Sequence, residues 1–312
     1  MPKSIAICLA LLMAIAGAGC SALGSRSAVR VPEPSPVARK YADLKVIDVH
    51  NHDAGGARYR HTMALWDAYG IDQVVMFAGR ITDPEAVEQD RIAWQASQEF
   101  PDKILPFFTG FDVNSKDSIE VVRAQFEKGF LGIGEYVGAS YARQSYAYDV
   151  KCKPKHPMDG YFSDVYALCA RFKAPILLHI DPPFPDFVSV QKFEEAIAGH
   201  PDTTFIYAHA NAFNTPENIE RLLKKYPNLY IDFFAGFNVY NKQANVPLDA
   251  YIPLIERYYT KFLVSTDSGC GMEYYQAHEA IYELLDRVSP RTREHIAHKN
   301  FEHLLEQRRS QM

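Results

Sequence analysis

Eight short runs rich in β-branched and aromatic residues, each followed by a stretch of helical length, constrain this chain more than any other feature. The runs are 45–49, 73–77, 104–109, 131–134, 176–179, 204–208, 229–233 and 262–265, and amphipathic segments such as 84–100, 115–128, 160–172, 190–198, 216–226 and 248–259 lie between them. Strand alternating with helix predicts parallel βαβ units, because parallel neighbours need a crossover that a helix fills. Eight such strands in about 260 residues predict an α/β fold closed as a (β/α)8 barrel rather than an open sheet. Local signals agree. Asp83-Pro84 and Thr215-Pro216 each put a capping residue before a proline suited to the first helical turn, and Gly129 and Gly199 sit where helices should stop.

In a closed barrel the chemistry belongs at the carboxyl ends of the strands. Those ends are polar in a consistent way. His50 and His52 close the first run, Glu135 follows the fourth, His179 ends the fifth, His209 follows the sixth and Asp267 the eighth. Side chains alternate along a strand, so Asp48, His50 and His52 are expected on one face, with Val49 and Asn51 on the other. A lone histidine ending an apolar strand is usually a satisfied rim residue. Several strands ending in His, Glu or Asp strain that explanation, since ionisable groups gathered out of water need a cation or one another. Nitrogen and carboxylate donors without thiolate suit Zn, Mn, Fe or Ni, with zinc the default.

The N-terminus reads as an address rather than as fold. Lys3, the apolar run 5–16 and Gly17-Ala18-Gly19 before Cys20 predict a signal peptide over 1–20, too short to span a bilayer comfortably. Small residues before a cysteine resemble a bacterial lipoprotein signal in which Cys20 is lipidated, although Gly17 departs from its usual aliphatic residue. Residues 21–42, with Pro32, Pro34 and Pro36, are read as a tether, and 43–312 as the barrel. This predicts an exported protein, periplasmic or anchored in the outer membrane through Cys20. An oxidising compartment permits a Cys152–Cys169 disulfide, with Cys270 left over and nothing in the spacing to choose the pairing. A net charge of -5 gives no global attraction to nucleic acid, so a small-molecule substrate is expected. Self-association is left open.

As a set, Asp48-Val49-His50-Asn51-His52, Leu178-His179-Ile180-Asp181, Ala208-His209, Ser265-Thr266-Asp267-Ser268 and the closing segment 296–305 resemble the amidohydrolase superfamily, specifically its amidohydrolase-related, metal-dependent hydrolases of TIM-barrel fold. The resemblance implies a metal held by His50, His52, His179 and Asp267, with His209 as a further ligand or an acid/base. Asp267 would take a proton from the attacking water and hand it on. Glu135 stands where some branches carry a carboxylated lysine. It would be a ligand bridging two ions, as in TatD-like relatives, or a hydrogen-bond partner that orients a ligand histidine. The implied reaction is hydrolysis of an amide, ester or lactone with one or two ions bound.

Two other readings use the same residues. A related branch performs non-oxidative decarboxylation with the same metal kit, and a non-catalytic metal-binding lipoprotein would keep the barrel without turnover. The loops are less informative. Phe184, Phe187, Phe213, Phe233, Phe234 and Phe237 would give an aromatic mouth, and Arg143, Lys151, Lys153 and Lys155 form a basic loop that reads more readily as solvated surface than as an anion site.

Overall fold

A computed structural model describes residues 29–78, 84–139, 156–180, 189–212, 214–241 and 246–312. The signal region with Cys20, Asp83, Cys152, the four basic loop residues and Phe184, Phe187 and Phe213 lie outside the described residues. The strands are β1 (Ile47–Asn51), β2 (Gln73–Met76), β3 (Ile104–Phe108), β4 (Gly132–Ala139), β5 (Ile176–Ile180), β6 (Phe205–Tyr207), β7 (Leu229–Phe233) and β8 (Phe262–Val264). They form one parallel sheet in sequence order, with helices between them, and this is the (β/α)8 barrel expected from the alternation.

The seam between β8 and β1 is stitched by side chains. Asp48 accepts the Thr266 backbone N–H at 3.0 Å and the Thr266 hydroxyl at 2.5 Å, and Ser268 Oγ accepts the His52 backbone N–H at 2.8 Å. Register with β2 slips between Asp48 and Asn51, so strict alternation along β1 is broken. Asp48 is taken up by the seam, while Val49 joins the cluster that fills the barrel.

That inner cluster includes Ile47, Phe77, Phe107, Leu177 and Ile206, and it is continued by Phe301, Leu304 and Leu305 of the last helix, Asn300–Arg309. Phe107 fills the space where Gly132 has no side chain, for a Cβ there would lie 2.4 Å from its ring. Helices form where capping chemistry allows. Thr215 caps Pro216–Lys225 by accepting from the Asn218 N–H, and Gly129 ends Ser118–Lys128 at φ 118°, a value that favours glycine.

Three expectations differ from the structure. β4 runs on to Ala139 rather than ending at Gly134, because two register shifts against β5 let pairing continue to Ile180; Glu135 therefore sits within the strand. In the stretch read as a tether, Pro36–Lys40 is a helix capped by Ser35, with Ala38 and Tyr41 buried. Glu279 accepts the Ser35 N–H at 2.8 Å, which docks this segment on helix Tyr274–Arg287. Cys169 is a free, buried thiol and Cys270 is disulfide-bonded, so the Cys152–Cys169 pairing does not form. Among the described residues no helix is long and apolar enough to cross a membrane.

Candidate metal centre

All six residues singled out at the strand ends converge on the same mouth of the barrel. His50 and His52 arrive from β1, and their Nε2 atoms lie 3.1 Å apart. What each ring does with its other nitrogen explains why. His50 Nδ1 donates to Asp232 Oδ2 at 2.7 Å, and His52 Nδ1 donates to the Ala78 carbonyl at 2.8 Å. A carbonyl only accepts, so the His52 proton sits on Nδ1, and the carboxylate draws the His50 proton to the same position. With Nε2 of His50 free of a proton, as a metal ligand must be, both Nε2 lone pairs would face one point, which is repulsive until a positive charge lies between them.

Carboxylates complete that side. Asp267 Oδ1 is 3.4 Å from His50 Nε2 and 3.3 Å from His52 Nε2, and Glu135 Oε2 is 3.8 and 3.6 Å from the same atoms. Glu135 turns its other oxygen the opposite way. Oε1 lies 3.0 Å from His179 Nδ1 and 3.0 Å from His209 Nε2, and those two nitrogens are 3.1 Å apart. Five of the six residues thus form two groups, His50–His52–Glu135 and Glu135–His179–His209, joined by one carboxylate, and Asp267 stands beside the first. His50 is fully buried and the His179 side chain is 21% exposed, so the cluster runs from the barrel interior to its mouth.

The backbone is strained at these positions. His209 (φ 32°), Asp267 (φ 45°) and Ser268 (φ 47°) all occupy the left-handed region that non-glycine residues seldom adopt, a pattern concentrated at functional sites. Tight turns hold them there: the Cys270 N–H bonds to the Asp267 carbonyl at 3.0 Å, and the Ala212 N–H to the His209 carbonyl at 2.9 Å.

The electrostatics call for a cation. Burial would lower the pKa of His50, yet Asp267, Glu135 and Asp232 outweigh it and hold the imidazole at about 10. Burial would likewise raise Glu135 and Asp267, but His50 and its neighbouring imidazoles keep the first carboxyl well below its ordinary value and the second below it. The carboxylates thus favour positive charge at His50, which a proton supplies in the metal-free protein and a divalent metal on Nε2 would supply in its place, and the nitrogen and oxygen donors suit such an ion.

Asp232 is the member that sequence reasoning missed. It is fully buried near the end of β7, where it accepts His50 Nδ1–H and the His209 backbone N–H on one oxygen. The signal was present, a single carboxylate inside the apolar run Leu229-Tyr230-Ile231-Asp232-Phe233. The expected aromatic mouth is reduced among the described residues. Phe237 stands edge-on to His209 at 5.9 Å between ring centroids, with Phe234 against it at 4.6 Å. Phe233 points to the outer layer and packs on Tyr251 at 5.2 Å, because alternation along β7 sends it away from the side that Asp232 faces.

Solved structures share this architecture. An uncharacterised TIM-barrel protein from Bordetella bronchiseptica aligns at 17% identity over 85% of this chain and 99% of its own, with a TM-score of 0.64. A dihydroxybenzoic acid decarboxylase from a Polaromonas species, with bound manganese and an inhibitor, aligns at 15% identity over 84% of this chain and 97% of its own, with a TM-score of 0.56. A dihydroorotase from Campylobacter jejuni aligns at 16% identity over 84% and 83% of the two chains, with a TM-score of 0.54. At such identities the likeness is one of fold. No curated protein matches the chain in sequence. A family model described as amidohydrolase matches residues 47–262, from β1 to the first residue of β8, and over that span this chain belongs to the amidohydrolase family.

Proposed function

We propose that this protein is a metal-dependent hydrolase that cleaves an amide, ester or lactone bond in a small organic substrate. The observation that carries the reading is the division of Glu135, one oxygen toward His50 and His52 and the other toward His179 and His209. One carboxylate so placed suits two cations side by side, the arrangement of many hydrolytic centres. Zinc is the proposed metal, since imidazole and carboxylate donors are its usual partners in catalytic sites.

A divalent cation, when bound, supplies the positive charge that acidifies water and polarises a carbonyl. The chain's own groups do the remainder. Asp267 is kept anionic by the imidazoles around it, so it can accept a proton from the attacking water and deliver it to the leaving group. His179 and His209 hold the outer side of the centre with Glu135, a ligand role for His209 in place of the acid/base alternative. Phe237 offers an apolar wall beside His209, suited to an organic substrate. Export as a lipoprotein anchored at Cys20 completes the proposal, and no nucleic-acid partner is included. Loss of fatty-acid labelling in Cys20→Ser tests the anchor, and a wild type that takes up no label removes it.

Non-oxidative decarboxylation is the second reading, favoured by the manganese-bound decarboxylase that shares the fold. Turnover of a panel of esters, lactones, amides and aromatic acids in 18O-labelled water separates the two. One water-derived oxygen in the product supports hydrolysis. Release of CO2 with no such oxygen in the organic product selects decarboxylation. Turnover unaffected by complete metal removal overturns both.

A further inference from the structure

We infer that Asp232 is a positioning residue that couples the two sides of the metal centre, setting the tautomer of His50 and holding the backbone of His209 through a single carboxylate oxygen. The inference rests on the proposed metal centre and extends it to a residue that is not one of the six converging groups.

Asp232 stands on β7, whose neighbour β6 leads into His209, and it reaches past β8 to a ring carried by β1. Its Oδ2 accepts the His50 Nδ1–H at 2.7 Å and the His209 backbone N–H at 3.0 Å. Two consequences follow from these contacts. An anionic acceptor on Nδ1 commits Nε2 of His50 to be the donor atom and raises its basicity, the role played by carboxylates behind metal-bound imidazoles. A hydrogen bond to the amide of His209 supports a residue whose φ of 32° is otherwise disfavoured, and so fixes the direction in which that ring leaves β6.

Charge balance distinguishes this role from that of a simple strut. Asp232 is fully buried, and among the described residues its Oδ1 has no hydrogen-bond partner. A buried carboxylate with donors on one oxygen alone is poorly compensated until positive charge resides close by. Positive charge at His50, from a proton in the metal-free protein or from a cation in its place, supplies that compensation.

The test uses full-length Asp232→Asn, which keeps the shape and removes the charge. Two quantities are measured: divalent-cation affinity, by competition with a chromophoric chelator, and the denaturant midpoint of the metal-free protein. The expected result is affinity weakened roughly 10- to 100-fold, whatever the modest shift of the metal-free midpoint. Affinity within twofold of wild type, or a lower metal-free midpoint with unchanged affinity, overturns the inference in favour of a strut. A wild type that binds no cation instead overturns the metal centre itself.

If Asp232→Asn does not fold, 15N-histidine NMR of the metal-loaded wild type decides. His50 protonated at Nδ1 and metallated at Nε2 supports the inference, and the reverse tautomer overturns it.

Discussion

Asp48 and Thr266, 218 residues apart in the chain, join the first strand of the barrel to the last, the carboxylate accepting both the backbone N–H and the hydroxyl of the threonine. This contact also sets the height of both strand ends at the metal centre, because His50 follows two residues after Asp48 and Asp267 directly follows Thr266. Asp48→Ala leaves the buried Thr266 N–H and hydroxyl without their acceptor, at a cost of about 1–3 kcal/mol each, and takes the longer bond at 3.2 Å from the His50 N–H as well. The expected outcome is about 2–5 kcal/mol less unfolding free energy in urea. Asp48→Asn, which can still accept one of the two bonds, should lose about half as much.

Glu135 divides its oxygens between two pairs of imidazoles, so it should govern metal stoichiometry. Elemental analysis of the purified wild type is expected to give about two divalent ions per chain, and Glu135→Gln about one or fewer, since an amide is a far weaker bridge than a carboxylate. A wild type that saturates at one ion under zinc excess contradicts the bridging arrangement.

His278 is buried in helix Tyr274–Arg287, where its Nδ1 donates to the Tyr274 carbonyl at 2.9 Å. Burial pushes its pKa down to about 4, against the opposing effect of that hydrogen bond. An unfolded histidine takes its proton near pH 6.5, whereas the folded one waits until about 4. The stability this group contributes is therefore complete above pH 6.5 and declines as the pH falls toward 4. At roughly 1.4 kcal/mol per pH unit, wild type should lose about 2–3 kcal/mol more than His278→Phe between pH 7 and 4.5. Urea unfolding of both proteins in chelator measures the difference, and equal slopes would refute it.

Arg308 ties the last helix to the carboxyl end of helix Ser118–Lys128. Its fully buried guanidinium donates to the Phe126 carbonyl at 2.6 Å and to the Phe130 carbonyl at 2.9 and 3.1 Å. Arg308→Met strands the Phe130 carbonyl and leaves that of Phe126 only the Gly129 N–H, at about 2–4 kcal/mol in all. At roughly 2–4 °C per kcal/mol for a domain of this size, calorimetry should show Tm lower by about 5–12 °C with metal content unchanged.

Much of the fold was legible in the chain because its signals are local. β-Branched runs of about five residues, the capping Thr215 before proline and Gly129 at a helix end act through their own backbone, whatever the rest of the chain does. The strand-end residues were legible for a related reason: a histidine or carboxylate closing an apolar run stands out without knowledge of its neighbours. Asp232 stood out less, because it lies inside its apolar strand rather than closing it and has no recognisable motif beside it. The helix at Pro36–Lys40 was hidden behind alternating prolines, which read as extended until Tyr41 and Ala38 find a surface to bury against.

Sequence alone determined that this chain makes eight strands with helices between them and that imidazoles and carboxylates gather at one end of the barrel. Only the tertiary structure decided how those groups divide. Which oxygen of Glu135 faces which histidine, and which nitrogen of His50 is left bare, depend on register shifts in β1 and β4 and on a carboxylate 182 residues from His50. The physical reason is the range of the forces. Hydrophobic period and capping act over a few residues, while the direction of a lone pair is set by whichever partner barrel closure brings within 3 Å.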